Sequence, residues 1–251
     1  MEQTGTLDRG DGVRLAWRRI AGLEPTVVFL PGFRSDMTGD KASHLAQLCA
    51  ARGQSMLRFD YSGHGTSGGR FEDGTIGRWT EDAVAALDRL IEGKLVLVGS
   101  SMGGWIALLA ALARPERVAA LIGIAAAPDF TETLMWQAMA AAERETLTRT
   151  GVLQVASEYG EHYPITRSLI EDGRRRLLLG GPIPLTCPVR LLHGQRDQDV
   201  PWETAPRIAE RLAGADVQVT LVKDGDHRLS RPQDLALLQQ ILEPFLAKDA
   251  A

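Results

Sequence analysis

Cysteine and long hydrophobic runs are both scarce in this sequence of 251 residues. Only Cys49 and Cys187 are present, too few for the disulfide framework of a small secreted protein, and we expect both to be free, buried thiols. The longest apolar run, from Val118 to Pro128, has about half of the ~20 residues that a membrane-spanning helix needs. The first residues have the pattern of neither a signal peptide nor a transit peptide. These absences predict a cytoplasmic protein with no membrane span.

An excess of positive charge is also lacking. The 28 Lys and Arg residues stand against 32 Asp and Glu, which gives a net charge of −4. Nucleic-acid binding needs a concentrated cationic surface, so we expect no nucleic-acid partner. Hydrophobic residues make up 44% of the chain, enough to bury one sizeable core. We therefore predict a single domain spanning residues 1–251.

Short apolar runs alternate with longer segments of helical periodicity. Most of the runs are continuously apolar, which is typical of parallel strands buried on both faces. This alternation predicts an α/β fold with a mostly parallel central sheet flanked by helices. The predicted strands are Val13–Arg18, Thr26–Leu30, Ser55–Phe59, Leu95–Gly99, Val118–Ala125, Val189–His193 and Val217–Val222. The predicted helices are Asp40–Arg52, Trp79–Ile91, Trp105–Arg114, Glu203–Ala213 and Asp234–Ala247.

The interval 128–187 interrupts this alternation. It contains no convincing strand, only two short helical segments, Leu134–Ala142 and Ile170–Leu179, among glycine and proline residues. We predict a helical cap that is inserted between two core strands and lies over one end of the sheet. A pair of ordinary crossover helices is the alternative.

A Gly-x-Ser-x-Gly motif, from Gly99 to Gly103, has Ser101 at its centre. It follows an apolar strand and precedes a helix, the context in which this motif presents a nucleophilic serine on a tight turn. The N-terminus of the following helix supplies free N–H groups for an anion. The sequence therefore predicts Ser101 as a nucleophile.

A serine nucleophile needs a histidine base and an acid that orients the base. His227 and Asp197 follow predicted strands and complete the order Ser, Asp, His that accompanies this motif. The other histidines fall in a helix, in the predicted cap, at a strand end or in a glycine-rich turn. Asp199, Asp226 and Asp129 are the alternatives for the acid.

Acyl transfer also needs two donors for the oxyanion of its intermediate. The backbone N–H of Met102, next to the serine, is one candidate. The second is the N–H of Phe33, in the loop after the strand that ends at Leu30, where Gly32 allows a tight turn. A plain turn is the alternative for this loop.

Patterns for cofactors are lacking. The glycine-rich segment 60–69 has no Gly-Lys-Ser/Thr, the glycines at 99, 103 and 104 lack dinucleotide-binding spacing, and no Cys or His cluster has the spacing of metal ligands. We expect no cofactor and no metal.

With the motif, the acid and the histidine in this order, the chain resembles the α/β-hydrolases from about Val13 to Leu246. Several motifs also resemble one mitochondrial family, α/β-hydrolase domain-containing protein ten. These motifs are LPGF at 30–33, RFDYSG at 58–63, VGSSMGGW at 98–105, RPERV at 114–118, CPVRLLHG at 187–194, VPW at 200–202 and DHR at 226–228. The resemblance implies a palmitoyl-protein thioesterase or an esterase of acyl glucuronides, with the triad at Ser101, Asp197 and His227. The segment between residues 128 and 187 is the least matched.

These observations predict a serine hydrolase that cleaves an acyl ester or thioester through an acyl-enzyme. The resemblance implies that the substrate is a small molecule or an S-acylated protein. Two alternatives remain: a small-molecule carboxylesterase or lactonase on the same scaffold, and a ligand-binding module without activity.

Overall fold

The computed structural model describes residues 1–156 and 162–247. Its ten strands in these ranges are β1 (Glu2–Asp8), β2 (Arg14–Ile20), β3 (Leu23–Leu30), β4 (Gln54–Phe59), β5 (Leu95–Ser100), β6 (Val118–Ile124), β7 (Val152–Ala156), β8 (His162–Thr166), β9 (Val189–Gly194) and β10 (Val217–Val222). Its α-helices are α1 (Asp40–Ala51), α2 (Ile76–Leu90), α3 (Met102–Ala113), α4 (Ala141–Thr150), α5 (Arg167–Arg174), α6 (Thr204–Arg211) and α7 (Pro232–Leu242).

Eight strands form the central sheet in the order β1-β2-β4-β3-β5-β6-β9-β10. The pairs from β4 to β10 are parallel, whereas β2 is antiparallel to both β1 and β4. Every residue of β4 and β5 is buried, as the continuous apolar runs predict. The α/β fold with a mostly parallel sheet is confirmed.

Apolar clusters cover both faces of the sheet. On one face α2, α3 and α6 contribute large side chains, among them Trp79 and Trp105. On the other face α1 and α7 pack through residues such as Leu45 and Leu238. Cys49 lies in this second cluster, and burial raises the pKa of its thiol to about 12. No helix in the described ranges is long and apolar enough to cross a membrane.

The interval between β6 and β9 has a small core of its own, formed by residues such as Leu147, Ile165 and Ile170. Its elements are a π-helical turn at Thr131–Trp136, then α4, β7, β8 and α5. The strands β7 and β8 pair as an antiparallel hairpin, so the expectation that residues 128–187 contain no strand is wrong. Each strand has only five residues, and neither alternates regularly between buried and exposed positions. The sequence therefore carries a weak periodic signal here, which explains the error. The limits of the predicted cap, which include residues outside the described ranges, remain a prediction.

Candidate active site

Ser101 occupies a tight turn between β5 and α3. Its backbone has φ of 55° and ψ of −120°, a conformation that a residue with a Cβ seldom adopts. Hydrogen bonds hold the turn: the Ser101 N–H donates to the carbonyl of Ile124 at 2.9 Å, and its carbonyl accepts from Gly104 and Ala127. This strained turn presents the Ser101 hydroxyl at the end of β5.

Gly103 lets α3 begin directly against β3. A Cβ at this position would collide with the backbone carbonyl of Leu30. Gly32, in the next loop, approaches Ser101 closely, since a Cβ built on it would lie 3.4 Å from the Ser101 Cβ. These two glycines bring the turn of Ser101 and the loop after β3 together.

His227 links Ser101 to Asp197. Nε2 of His227 lies 3.1 Å from the Ser101 Oγ, and its Nδ1 lies 2.7 Å from the Asp197 Oδ2. Because a carboxylate only accepts hydrogen bonds, Nδ1 carries the hydrogen and Nε2 can accept from the serine hydroxyl. Asp197 follows β9 and His227 follows β10, so adjacent parallel strands bring both to the edge of the sheet where Ser101 lies. The three residues predicted from the sequence thus form a continuous series, with one hydrogen-bond contact between Ser101 and His227 and another between His227 and Asp197.

The Asp197 side chain is fully buried, and four hydrogen-bond donors surround its carboxylate. Its Oδ1 accepts from the N–H groups of Asp199 and Val200, at 2.9 and 2.8 Å. Its Oδ2 accepts from His227 and from His193. Burial by itself would raise the pKa of Asp197, but the hydrogen bonds from His193, His227 and Val200 outweigh burial and hold this pKa below its ordinary range. The carboxylate is therefore ionised throughout the neutral range.

The N–H groups of Phe33 and Met102 are available as donors. Met102 is the first residue of α3, where helical N–H groups have no partner within the helix. Among the described residues, neither N–H donates to another backbone or side-chain group. Both lie beside Ser101, one following it in the chain and the other following Gly32.

The loop of Phe33 is fixed from two sides. The Phe33 ring packs edge-on against Phe71, Phe130 and Tyr163, with ring centroids 5.1 to 6.1 Å apart. The next residue, Arg34, has φ of 58°, and its N–H donates to Nε2 of the buried His64 at 3.2 Å.

The alternative aspartates have other partners. Asp129 accepts hydrogen bonds from the N–H groups of Leu178 and Leu179. Asp226 accepts from the N–H of Leu229. Asp199 is exposed and contacts Asp197 through its backbone N–H. In the described ranges, one group of three residues carries ligand atoms within 4.8 Å of one another, Asp197, Asp199 and His227. Two of these are already hydrogen-bonded to each other.

Two functional candidates escaped the sequence reasoning. The sequence places His193 at a strand end and His64 in a glycine-rich turn, and it predicts neither as part of the site. His193 is fully buried but contacts Asp197, and His64 contacts the loop of Phe33. Both lie in motifs at the edge of the sheet, which is a signal that the sequence offers. The motifs do not show, however, that the ring of His193 turns towards Asp197, four residues on, or that His64 contacts Arg34, 30 residues away.

The predicted cap packs close to this site. Tyr163 of β8 lies against Phe33, and the Arg34 guanidinium stands 4.5 Å from the centre of its ring. Met135, Trp136 and Met139 belong to the core of the interval between β6 and β9, where they act as packing residues. An apolar cavity of about 170 Å³ opens beside the acid loop, lined by residues that include Ala127, Leu134, Leu179 and Val200.

Comparisons with known proteins agree with this geometry. Residues 23–170 match the family model described as serine aminopeptidase, S33. The mitochondrial palmitoyl-protein thioesterase ABHD10 of Homo sapiens is 41% identical over 244 residues, which cover 96% of this chain and 79% of the relative.

Solved structures agree as well. A crystal structure from Agrobacterium vitis S4, of a protein provisionally named a hydrolase, superposes with a TM-score of 0.93 at 42% identity, and covers 98% of this chain and 100% of that one. Alpha/beta hydrolase domain-containing protein 10 from mouse gives a TM-score of 0.89 at 40% identity, with 96% and 97% of the two chains covered. This chain belongs to the α/β-hydrolase family that includes ABHD10.

Proposed function

We propose that this protein hydrolyses acyl thioesters, with S-acylated proteins as the substrate class. The observation that carries the reaction type is the hydrogen-bonded series from Ser101 through His227 to Asp197, at 3.1 and 2.7 Å. The preference for thioesters rests on the relatives that are named palmitoyl-protein thioesterases and share 41% identity over 96% of the chain.

In the first step, His227 Nε2 removes the proton of the Ser101 hydroxyl as Oγ attacks the acyl carbon. The imidazolium that forms is stabilised by the Asp197 carboxylate on its other side. The N–H groups of Phe33 and Met102 donate to the oxyanion of the tetrahedral intermediate. The intermediate collapses to an acyl-serine as the bond between the acyl carbon and sulfur breaks, and the proton on His227 passes to the departing thiolate, which leaves His227 neutral.

In the second step, water attacks the acyl-serine and the neutral His227 removes a proton from that water. The bond between the acyl carbon and Ser101 Oγ then breaks, His227 returns the proton to Oγ, and the carboxylic acid leaves. A thiolate with a pKa of about 8.5 departs with little help from protonation, whereas an alkoxide needs the proton that His227 took from Ser101. The same residues therefore serve both thioesters and oxygen esters, at rates set by the leaving group.

The test compares three substrates with one medium-chain acyl group: a thioester, the oxygen ester and the acyl glucuronide. We expect the thioester to have the highest kcat/KM. Ser101→Ala should lower kcat/KM by roughly 10⁴-fold or more, since the nucleophile acts as a unit with its base. Its melting temperature should match that of the wild type.

Other results would redirect the proposal. A preference for the simple oxygen ester would indicate a small-molecule carboxylesterase, and activity on cyclic esters alone a lactonase. Turnover by Ser101→Ala at the wild-type rate would contradict the assignment of the nucleophile. No turnover above this variant with any substrate would favour a ligand-binding module.

Hydrolysis of acyl glucuronides is the second candidate, favoured by Arg34. This exposed cation lies next to Phe33 in the chain, and its guanidinium is held over the Tyr163 ring, where it could pair with a glucuronate carboxylate. The acyl glucuronide in the substrate series tests this candidate directly.

We also propose a cytoplasmic location, which fractionation of cells that express the full chain would test against the mitochondrial location in the name of the relatives.

A further inference from the structure

His193 is a fully buried polar side chain whose ring nitrogen reaches the acid of the site. Its Nε2 lies 3.0 Å from the Asp197 Oδ2 and 3.1 Å from the carbonyl oxygen of Val200. Both partners only accept hydrogen bonds, so Nε2 carries the hydrogen and shares it between them. Nδ1 of the same ring is buried without a partner among the described residues.

A buried imidazole in this position lowers the stability of the fold unless its hydrogen bonds contribute to stability or to function. A buried ring nitrogen without a partner destabilises the fold relative to an apolar side chain of the same size. The polar contacts of His193 go to Asp197 and to the loop that begins there. Val200 closes that loop, because its own N–H donates to the Asp197 Oδ1.

Asp197 Oδ2 is shared by two histidines. It accepts from His227 Nδ1 at 2.7 Å and from His193 Nε2 at 3.0 Å. The shared oxygen leaves the carboxylate little freedom to rotate, and it divides the negative charge of that oxygen between two donors.

We infer that His193 is a positioning residue, which holds Asp197 Oδ2 in line with His227 and moderates how strongly Asp197 stabilises the protonated form of His227. This inference rests on the proposed function for its kinetic effects. The hydrogen bond between His227 and Asp197 is also observable without substrate.

The direction of the effect follows from the charges. The Nε2–H of His193 presents its positive end to Oδ2, and this weakens the attraction between Asp197 and a positive His227. Without that donor, His227 should hold its proton more strongly, and the acid limb of kcat/KM should move to higher pH. In the part of the chain that the structure describes, Asp199 and Ser101 also bring a titratable or polar side chain to this point. Asp226 and Arg228, which flank His227 in the chain, are exposed, and the half-buried Lys41 donates to the carbonyl of Arg228.

Three substitutions separate the hydrogen bond from packing. His193→Gln keeps an N–H donor at the position of Nε2. His193→Asn has the same amide but is one bond shorter, and His193→Leu fills the space without a donor. We expect Asn and Leu to lower kcat/KM by roughly 10- to 100-fold, the effect of losing a hydrogen bond to a charged group. The acid limb should rise by roughly half a pH unit to one, whereas Gln should stay near the wild type in both.

The second measurement is the proton NMR signal of the His227 Nδ1–H in the free protein. It should move in His193→Asn and His193→Leu and be restored in His193→Gln. If Leu does not fold, the comparison of Gln with Asn remains decisive. If His193→Asn or His193→Leu keeps the acid limb and the NMR signal of the wild type and only its melting temperature falls, the inference is overturned in favour of simple packing. A Gln variant that behaves like Asn would also overturn it. A wild-type protein without activity would contradict the proposed function, while the NMR signal would still test His193.

Discussion

His64 shows how one buried side chain can control a loop in the site. Its Nδ1 lies 3.3 Å from the carbonyl of Ser62, and its Nε2 accepts from the N–H of Arg34. The hydrogen is therefore on Nδ1, and only the neutral ring can accept at Nε2. Burial lowers the pKa of His64 from its ordinary value of 6.5 to about 4, against the opposing effect of the Ser62 carbonyl.

Stability should therefore depend on pH through His64. The unfolded chain binds a proton at this residue below about pH 6.5, and the folded protein does so only below about pH 4. The contribution of His64 is thus present in full above pH 6.5 and is lost progressively as the pH falls to 4, by about 3 kcal/mol in all. In His64→Gln, which can still accept at the position of Nε2, this part of the slope should vanish. Urea unfolding at intervals from pH 4 to 7, in parallel with the wild type, measures it; parallel curves would contradict the assignment.

The sequence predicts single residues of the candidate site where a motif and the chain order define them. Ser101 is marked by its glycines and by the strand and helix around it. Asp197 and His227 follow strands in the expected order, and the structure places them as that order requires. His193 and His64 cannot be recognised in the same way. Neither motif nor chain order shows that the ring of His193 turns towards the nearby Asp197, and the Arg34 N–H that His64 contacts is 30 residues away in the chain.

At the scale of elements, apolar runs predict the strands of the sheet except the edge strand β1. All seven predicted strands are present; Val217–Val222 has the predicted bounds, and the other six differ at one or both ends by one to three residues. The strand of the sheet that was not predicted is β1. Only Leu7 is buried in it, so it has no alternating or continuous apolar pattern that would indicate a strand. It forms because seven residues pair with β2. The hairpin of β7 and β8 was missed for a related reason, since it packs on one face against a small cluster.

The interval between β6 and β9 is anchored to the core by α5. The buried Asp172 accepts a hydrogen bond from the N–H of Gly77, at the start of α2, with 2.6 Å between the atoms. This position has an unpaired helical N–H and a partial positive charge, both of which favour a carboxylate. Arg175 and Arg176 pair with the same carboxylate from within the segment.

Asp172→Ala should loosen this anchor. The substitution leaves the Gly77 N–H without its buried partner, so we expect a loss of about 1–3 kcal/mol in the free energy of unfolding. Hydrogen exchange should become faster in α5 and in the first turn of α2. Glu171→Ala, which removes the exposed neighbouring carboxylate, is the matched control. Equal exchange in both variants would show that the interval is held by its apolar contacts instead.

At the scale of the whole molecule, the edge strand is connected to the site through buried polar groups. Glu2 of β1 pairs with the buried Arg58 of β4, with 2.8 Å between the atoms. Arg58 donates to the carbonyl of Met37, and the N–H of Met37 donates to Asp60. Met37 lies three residues beyond Arg34 in the same loop. The charge of a residue near the N-terminus thus supports the loop that carries the predicted oxyanion donor.

Removing that charge should affect stability and the loop together. In Glu2→Gln the Arg58 guanidinium keeps its charge but loses its carboxylate, and Glu2 is only partly buried. We therefore expect a loss of about 1 kcal/mol, which lowers the melting temperature by about 2–4 °C in a protein of this size. Hydrogen exchange should increase in residues 34–38 more than in the adjacent strands. Glu145→Gln, an exposed substitution on α4, controls for the change in net charge. If both variants melt together with wild-type exchange in the loop, β1 is held by strand pairing alone and has no connection to the site.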